Sequence, residues 1–135
     1  MRINNRKKKG VAAIITTITL GSLIFVISLA TTIIAFYANQ NAASNRNSLK
    51  SYYAAYSGIQ DTLLKLERNK DYSTDFNLTI YDTDDVTVSI SSDSGQATIT
   101  ATSTVSSVTK KLQSVVDIDT TTGLITPTST TELTL

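Results

Sequence analysis

Three carboxylates cluster in one short segment of the sequence. Asp82, Asp84 and Asp85 lie close together, interrupted only by Thr83. Carboxylate oxygens in a loop are ligands that calcium prefers, but this segment lacks the central Gly and the distal Glu of an EF-hand loop. The spacing therefore predicts a solvated turn, with a calcium site as the alternative.

The chain has no Cys and no His, two residue types that often act as nucleophiles, general bases or metal ligands. Without Cys there is no disulfide, no thiolate metal site and no thiol nucleophile. Without His there is no Ser-His-Asp triad and no imidazole-ligated zinc. The sequence also has no Gly-rich phosphate loop and no nucleophile elbow. We therefore predict a protein that is not an enzyme and uses neither metal nor cofactor.

Charge is distributed unevenly along the chain. The 135 residues have 12 basic and 11 acidic side chains, a net charge of +1. Arg2, Arg6, Lys7, Lys8 and Lys9 are all at the N-terminus, so the rest of the chain is net negative. A negative surface repels phosphate, and we expect no nucleic-acid partner.

An apolar segment without a single charged residue follows the basic one, over residues 11–38. As a helix it would be about 42 Å long, which exceeds the ~30 Å hydrocarbon core of a bilayer. Its Ser and Thr hydroxyls can bond back to the preceding helical turn and are tolerated in lipid. We predict a transmembrane helix over 11–38, with residues 1–10 in the cytoplasm by the positive-inside rule. A secretory signal peptide does not fit, since its apolar region has about 7–15 residues.

The boundary between the basic and apolar segments has a distinctive sequence. Arg6, Lys7, Lys8 and Lys9 precede Gly10, and the apolar helix starts at once with Val11. Gly weakens a helix and lets the backbone extend into a protease. The junction resembles the leader of type IV prepilins. That resemblance implies cleavage after Gly10 by the prepilin peptidase, followed by N-methylation of Val11.

This junction departs from the family pattern at two positions. The mature chain would begin with Val11, where the family usually has Phe or Met, and its fifth residue would be Ile15, where major pilins have Glu. In the family that Glu is thought to neutralise the N-terminal amine of a neighbouring subunit. The resemblance therefore implies an initiating, tip or minor subunit.

A second segment supports the same family. Tyr53-Ala54-Ala55-Tyr56-Ser57-Gly58-Ile59, followed by Leu63, resembles a segment of PilX-like minor pilins, although that family usually has an acidic residue where Tyr56 stands. The resemblance covers roughly residues 6 to 66. It implies a pilin or pseudopilin of a type IV pilus or type II secretion system, with other such subunits and an inner-membrane assembly platform as partners.

Residues 39–68 have the pattern of an amphipathic helix outside the membrane, and without an intervening Pro it can continue the transmembrane helix. Large apolar residues recur at spacings of three and four, which predicts a face that covers a sheet: Leu49, Tyr52, Tyr56, Ile59, Leu63 and Leu66. Small residues recur at similar spacings, which predicts packing against other transmembrane helices: Ala13, Thr17, Gly21, Ser51, Ala55, Gly58 and Thr62.

Alternating apolar and polar residues after the helix predict four strands, near residues 76–80, 86–90, 97–105 and 111–118. Short connections argue for an antiparallel meander, and we predict a β head over residues 72–118. The segment 119–135 is rich in Ser and Thr, which predicts a disordered or extended tail. The predicted fold class is α+β, a long N-terminal helix on a small antiparallel sheet, as in pilins.

Two function classes fit this layout. The first is a structural filament subunit that is processed after Gly10 and leaves the inner membrane for a pilus or pseudopilus. The second is a single-pass envelope protein with an uncleaved anchor and an extracytoplasmic β head that acts as an interaction module. In both, membrane lipid is a partner and the N-terminus lies inside.

Overall fold

The computed structural model describes residues 4–80 and 84–134. These residues form helix α1 (Asn4–Arg68) and strands β1 (Phe76–Ile80), β2 (Asp84–Asp93), β3 (Gln96–Val105), β4 (Val108–Ile118) and β5 (Ile125–Leu133). The fold is α+β, as predicted, with the helix packed on an antiparallel sheet.

The chain divides into two units after Ala42. The described part of the first unit is helical throughout and belongs to α1. The second unit, hereafter the head, contains the rest of α1 and the whole sheet. The helix already begins at Asn4, before the predicted start at Val11.

The sheet is a meander in the order β1-β2-β3-β4-β5, and every neighbouring pair is antiparallel. Successive residues point to opposite faces, so one face is apolar and the other is rich in Thr and Ser. The apolar face is buried and supplies most of the core: Val86, Val88, Ile90, Ala97, Ile99, Ala101, Leu112, Val116 and Ile118. The four predicted strands are all present.

Two-residue turns connect the central strands. Ser94 and Gly95 join β2 to β3, and Ser106 and Ser107 join β3 to β4; all four residues have positive φ. Positive φ at both central residues is the geometry of a type I′ turn, whose twist matches that of the flanking strands. Ser is a poor residue for this conformation, so the Ser106–Ser107 turn is strained.

Replacing Ser106 by Asn and Ser107 by Gly is expected to stabilise the head by about 1 kcal/mol, because Asn-Gly adopts this turn without steric cost. The midpoint of urea unfolding of the full chain in detergent measures the effect. Ser89→Gly, which places Gly at a strand position, is the control and is expected to destabilise the head. An unchanged or lower urea midpoint for the turn variant would contradict the inference that the Ser106–Ser107 turn is strained.

Small residues of the helix, rather than the large ones, make the closest contact with the sheet. Ser51, Ala54, Ala55, Gly58 and Thr62 are buried. A Cβ atom added to Gly58 would lie 2.9 Å from Val88 Cγ2 and 3.0 Å from Val86 Cγ1. The helix backbone therefore lies directly against the side chains of β2. The prediction that Ala55 and Gly58 pack on neighbouring transmembrane helices is wrong, because the chain's own sheet covers them.

The predicted stripe of large residues lies partly in the core and partly in solvent. Ile59 and Leu66 are buried, and Tyr52 and Leu63 are half-buried against the core. Leu49 is 58% exposed and Tyr56 is 40% exposed, so their assignment to the core is wrong. Small side chains let the helix approach a flat sheet more closely than Leu and Tyr would, which turns the packed face toward Ala54, Ala55 and Gly58.

Strand β5 replaces most of the predicted tail. It pairs with β4 from Lys111↔Leu133 to Ile118↔Ile125, with a register shift between Val115 and Val116. None of its residues is buried, and only Ile125 and Leu133 are half-buried. The prediction of a disordered or extended tail outside the sheet is therefore wrong for residues 125–133.

Asp119 organises the connection between β4 and β5. Its Oδ1 atom accepts hydrogen bonds from the backbone N–H groups of Thr121, at 2.8 Å, and Thr122, at 3.2 Å. The Gly123 N–H donates to the Asp119 carbonyl at 2.7 Å, where Gly123 has a positive φ. Hydrogen bonds from the Thr122 side chain and from the backbone of Thr121 and Thr122 lower the pKa of Asp119 from its ordinary value of 3.8.

We expect the free energy of unfolding of the head to depend on pH through this carboxylate. A lowered pKa in the folded state means that the contribution is fully present above the ordinary pKa of 3.8 and is lost as the pH falls through the lowered value. Asp119→Asn keeps an oxygen acceptor for the turn but cannot ionise. Urea midpoints measured between about pH 5 and 2 should therefore fall less steeply for Asp119→Asn than for the wild type. Parallel pH profiles would contradict this role.

Candidate functional site

The Gly10–Val11 junction lies within regular helix. Gly10 is exposed, and a Cβ atom added there would meet nothing within 4 Å. Val11 is 57% exposed. No other element of the described structure covers these two residues, although a protease that binds extended chain must first unwind this turn of the helix. Gly at this position lowers the free energy that unwinding costs, by about 1 kcal/mol relative to Ala.

The basic residues Arg6, Lys7, Lys8 and Lys9 belong to the same helix, and their side chains lie outside the described part of the structure. Helical backbone runs from these residues through Gly10 without a break. The charge changes abruptly along this continuous helix. Four consecutive cations are followed by one Gly and then by an uncharged segment that extends to Asn45.

The helix that begins near Gly10 is long enough and apolar enough to cross a membrane, by length and composition. All of its residues from Gly10 to Arg46 are exposed. Large apolar side chains with no cover in the protein fit lipid rather than water. The chain thus has one segment suited to membrane anchoring among the residues that the structure describes.

Six of the seven Ser and Thr hydroxyls in the apolar segment donate to carbonyls of their own helix. Thr16, Thr17 and Thr19 donate to carbonyls four residues earlier, at 2.8, 2.8 and 2.6 Å. Ser22 donates to Thr19, and both Thr31 and Thr32 donate to the carbonyl of Ser28. These bonds remove the cost of placing a free hydroxyl donor in hydrocarbon. The sequence-based expectation for these side chains is confirmed.

Small residues of the apolar segment leave space on its surface. Ala13, Thr17 and Gly21 are exposed, and Gly21 has open space where a Cβ would lie. A shallow groove of about 560 Å³ on the same helix is lined by other residues and not by this small-residue stripe: Ile15, Thr16, Thr19, Leu20, Ser22, Leu23 and Val26. Small residues permit close approach of a second helix in lipid. Their packing role stays a prediction.

The segment that carries the second family resemblance lies on the head helix and has two different sides. Ala54, Ala55, Gly58 and Ile59 face the sheet and are buried. Tyr53 is 63% exposed and Tyr56 40% exposed. The small residues of the segment therefore position the helix on the sheet, and its tyrosines face outward.

A stripe of exposed residues runs along the side of the head helix opposite the sheet, and sequence periodicity did not separate it from the core face. It is defined by spacings of three and four and is hereafter the outer stripe: Arg46, Leu49, Tyr53, Tyr56, Gln60, Leu64 and Glu67. A signal was present in the sequence, since the helix has apolar residues on two sides, which is typical of a helix that packs on both.

The acidic loop is only partly described. Asp82 and Thr83 lie outside the described residues, as does the side chain of Asp84. Asp85 Oδ1 accepts a hydrogen bond from the Thr79 hydroxyl at 3.3 Å across the β1–β2 pair. In the ranges 4–80 and 84–134, no three His, Cys, Asp or Glu side chains form a group that could hold a metal ion.

Comparison with known proteins finds no protein-family model, no curated protein and no solved structure that the chain matches. The fold is a long N-terminal helix with an apolar first part, followed by an antiparallel sheet, which is a pilin-like layout.

Proposed function

We propose that the chain is a minor pilin or pseudopilin, a structural subunit that is cut after Gly10 and joins a type IV pilus-like filament. The observation that carries this proposal is the junction itself. A run of four cations ends in Gly10, and the uncharged apolar helix starts with Val11. The pilin-like layout supports it, because α1 continues from this junction into a head whose sheet it covers.

The mechanism of such a subunit is mechanical. The cationic leader holds the precursor across the inner membrane with its N-terminus inside, and the head lies outside. Cleavage removes charges that are costly to bury among apolar helices. The processed helix, with its hydroxyl donors already bonded to its own carbonyls, can then leave lipid and pack against like helices.

Mass spectrometry of the N-terminal peptide of the protein from its native membrane tests this proposal. An N-methylated Val11 terminus is the expected result. A mature protein that begins at Met1 or Arg2 would overturn it.

One observation favours a second function, that of an uncleaved membrane anchor with an interacting head. Ile15 is an exposed apolar residue at the position where major pilins have Glu. Without that carboxylate, the new N-terminal amine has no partner of this kind in a filament. An intact N-terminus in the same mass spectrum would support the anchor, with lipid and an envelope protein as partners.

A further inference from the structure

The first strand of the sheet contains a sequence pattern for N-glycosylation. Asn77-Leu78-Thr79 has the form Asn-X-Thr without Pro at the middle position, and no other tripeptide of the chain has the form Asn-X-Ser or Asn-X-Thr. All three residues belong to β1, where Asn77 and Thr79 are exposed and Leu78 is half-buried. The two residues that define the pattern therefore lie on the polar face of the sheet, away from the core.

The backbone of these two residues faces the open side of the sheet. Among the described strands, β1 stands at the end of the sheet and pairs with β2 alone. The residues that flank a two-residue hairpin turn form a hydrogen-bonded pair, so Asp93 and every second residue before it bond toward β3. The residues between them bond toward β1, and the Ile90 N–H accordingly donates to Asp75 Oδ1 at 2.9 Å. In the β1–β2 register this alternation directs the N–H and C=O groups of Asn77 and Thr79 outward.

The two edges of the sheet differ in their protection against pairing with another chain. Natural edge strands are blunted by Pro, by charged residues such as Lys, or by bulges. Strand β5 has Pro127 and a register shift beside it. Strand β1 has the sequence FNLTI, with no Pro and no charge, and it pairs with β2 without a shift. A glycan on Asn77 would give this edge the protection that its sequence does not, because a glycan is bulky and solubilising.

We propose that Asn77 is an N-glycosylation site and that its glycan covers the open edge of β1. This goes beyond the proposed function and shares with it only the location of the head outside the membrane, since Asn-X-Thr patterns are modified in secreted segments.

The sugar chain is transferred from a polyisoprenyl phosphate-linked oligosaccharide, which is the co-reactant. Asn77 Nδ2 forms a bond to the anomeric carbon of the first sugar. The bond from that carbon to the phosphate oxygen breaks, the lipid phosphate leaves with the electron pair, and the amide gives up one proton. Nothing is oxidised or reduced in this step.

An edge strand can present this pattern to a transferase more readily than an inner strand can. One ladder of five residue pairs holds β1, whereas β2, β3 and β4 have ladders on both sides. The Thr79 hydroxyl donates to Asp85 Oδ1 at 3.3 Å, a long and exposed contact that local opening breaks at low cost. In the folded sheet Asn77 stands opposite Thr87, which is also exposed, so the polar face has room for the glycan.

Tandem mass spectrometry of the full chain from its native membrane tests the site. Trypsin cuts after Lys70 and next after Lys110, so Asn77 lies in the peptide between them. The expected result is the added mass of a sugar chain on this peptide, with saccharide fragment ions. An unmodified peptide in all molecules would overturn the inference.

Three variants locate the sugar. Asn77→Gln keeps an amide on the exposed face but removes the acceptor, and Thr79→Val removes the hydroxyl of the pattern; both are expected to lose the added mass. Thr79→Ser keeps the pattern and is expected to keep the mass, as is the control Asn45→Gln, which changes an exposed Asn outside any such pattern. Added mass that persists in Asn77→Gln would place the sugar on a Ser or Thr hydroxyl and overturn the site.

The role of the glycan at the edge has its own measurement, the fraction of purified full chain in detergent that sediments as aggregate. Asn77→Gln leaves the edge bare and is expected to sediment several times more than Thr79→Ser. Asn77→Lys also lacks the glycan but places a charge on the edge strand, so it is expected to stay in solution. Equal sedimentation of Asn77→Gln and Asn77→Lys would overturn the covering role.

The N-terminal peptide of the same samples separates this inference from the proposed function. A methylated Val11 on a chain with unmodified Asn77 would overturn the glycosylation and leave the processing intact. A glycan on Asn77 of a chain that begins at Met1 would support the glycosylation and overturn the processing.

Discussion

Replacing Gly10 by Val is expected to leave the chain as its uncut precursor. A β-branched side chain restricts the backbone next to the cleaved bond, and misplacing that bond by about 1 Å lowers a protease's rate on the order of 100-fold. The loss is not expected from a clash at the new Cβ atom, because a Cβ added to Gly10 would meet nothing within 4 Å. The ratio of precursor to processed chain, measured by mass spectrometry, gives the effect.

The apolar segment offers a matched control for this change. Gly21 also has open space where a Cβ would lie, and it is in the same helix. Gly21→Val therefore adds the same side chain with the same freedom from contacts, and it is expected to be processed normally. Normal processing of Gly10→Val would refute Gly10–Val11 as the cleavage site, and a block in both variants would show that the helix rather than the junction was affected.

The second large effect is expected at Gly58, where the helix lies closest to the sheet. The first atom of any new side chain would lie 2.9 Å from Val88 Cγ2, 3.0 Å from Val86 Cγ1 and 3.4 Å from Ala101 Cβ. These neighbours are themselves fully buried and cannot move aside. Gly58→Val is expected to destabilise the head by about 3 kcal/mol, as for an overpacked core.

Ser57 provides the control for helix propensity at the neighbouring position. It is exposed, and its hydroxyl bonds only to the Tyr53 carbonyl of its own helix. Ser57→Val should change the free energy of unfolding by no more than about 0.5 kcal/mol. Urea unfolding of the full chain in detergent, followed by the near-UV signal of its tyrosines, measures both variants. Equal midpoints for Gly58→Val and the wild type would contradict the close helix–sheet contact.

The sheet could be predicted from the sequence where alternation was regular. Val86, Val88 and Ile90 of β2, and the alternating residues of β3, point to the core as their spacing indicates. Strand β5 could not be predicted in this way, because its sequence has no apolar alternation and its register shifts opposite Val115 and Val116. Pro127 also weakens a strand prediction, although Pro is tolerated at a sheet edge.

The face of the head helix that meets the sheet could not be predicted from sequence periodicity. Periodicity identified a row of large residues, but the helix is apolar on two sides, and period alone does not say which side meets the sheet. The deciding factor is how close the backbone can come, which depends on Gly58 meeting Val86 and Val88. That information lies in the pairing of two distant segments, not in either segment by itself.

The candidate site was predicted from local sequence alone, since the junction depends on adjacent residues. What the structure adds is the open space around Gly10 and the internal hydrogen bonds of the hydroxyls in the apolar segment. Sequence periodicity does not predict the outer stripe, because it places Leu49 and Tyr56 on the face that covers the sheet.

Strand β5 has a consequence for how the head opens over time. One ladder holds it to β4, and only Ile125 and Leu133 at its two ends are half-buried. Side-chain contacts tie it to the sheet through a hydroxyl network of Ser114, Ser129 and Thr130 and through the Lys110–Glu132 ion pair. Its amides should therefore exchange with deuterium through local opening, long before those of β3, whose ladders lie on both sides. The C-terminal strand would then detach and pair again while the helix and strands β2 to β4 stay folded.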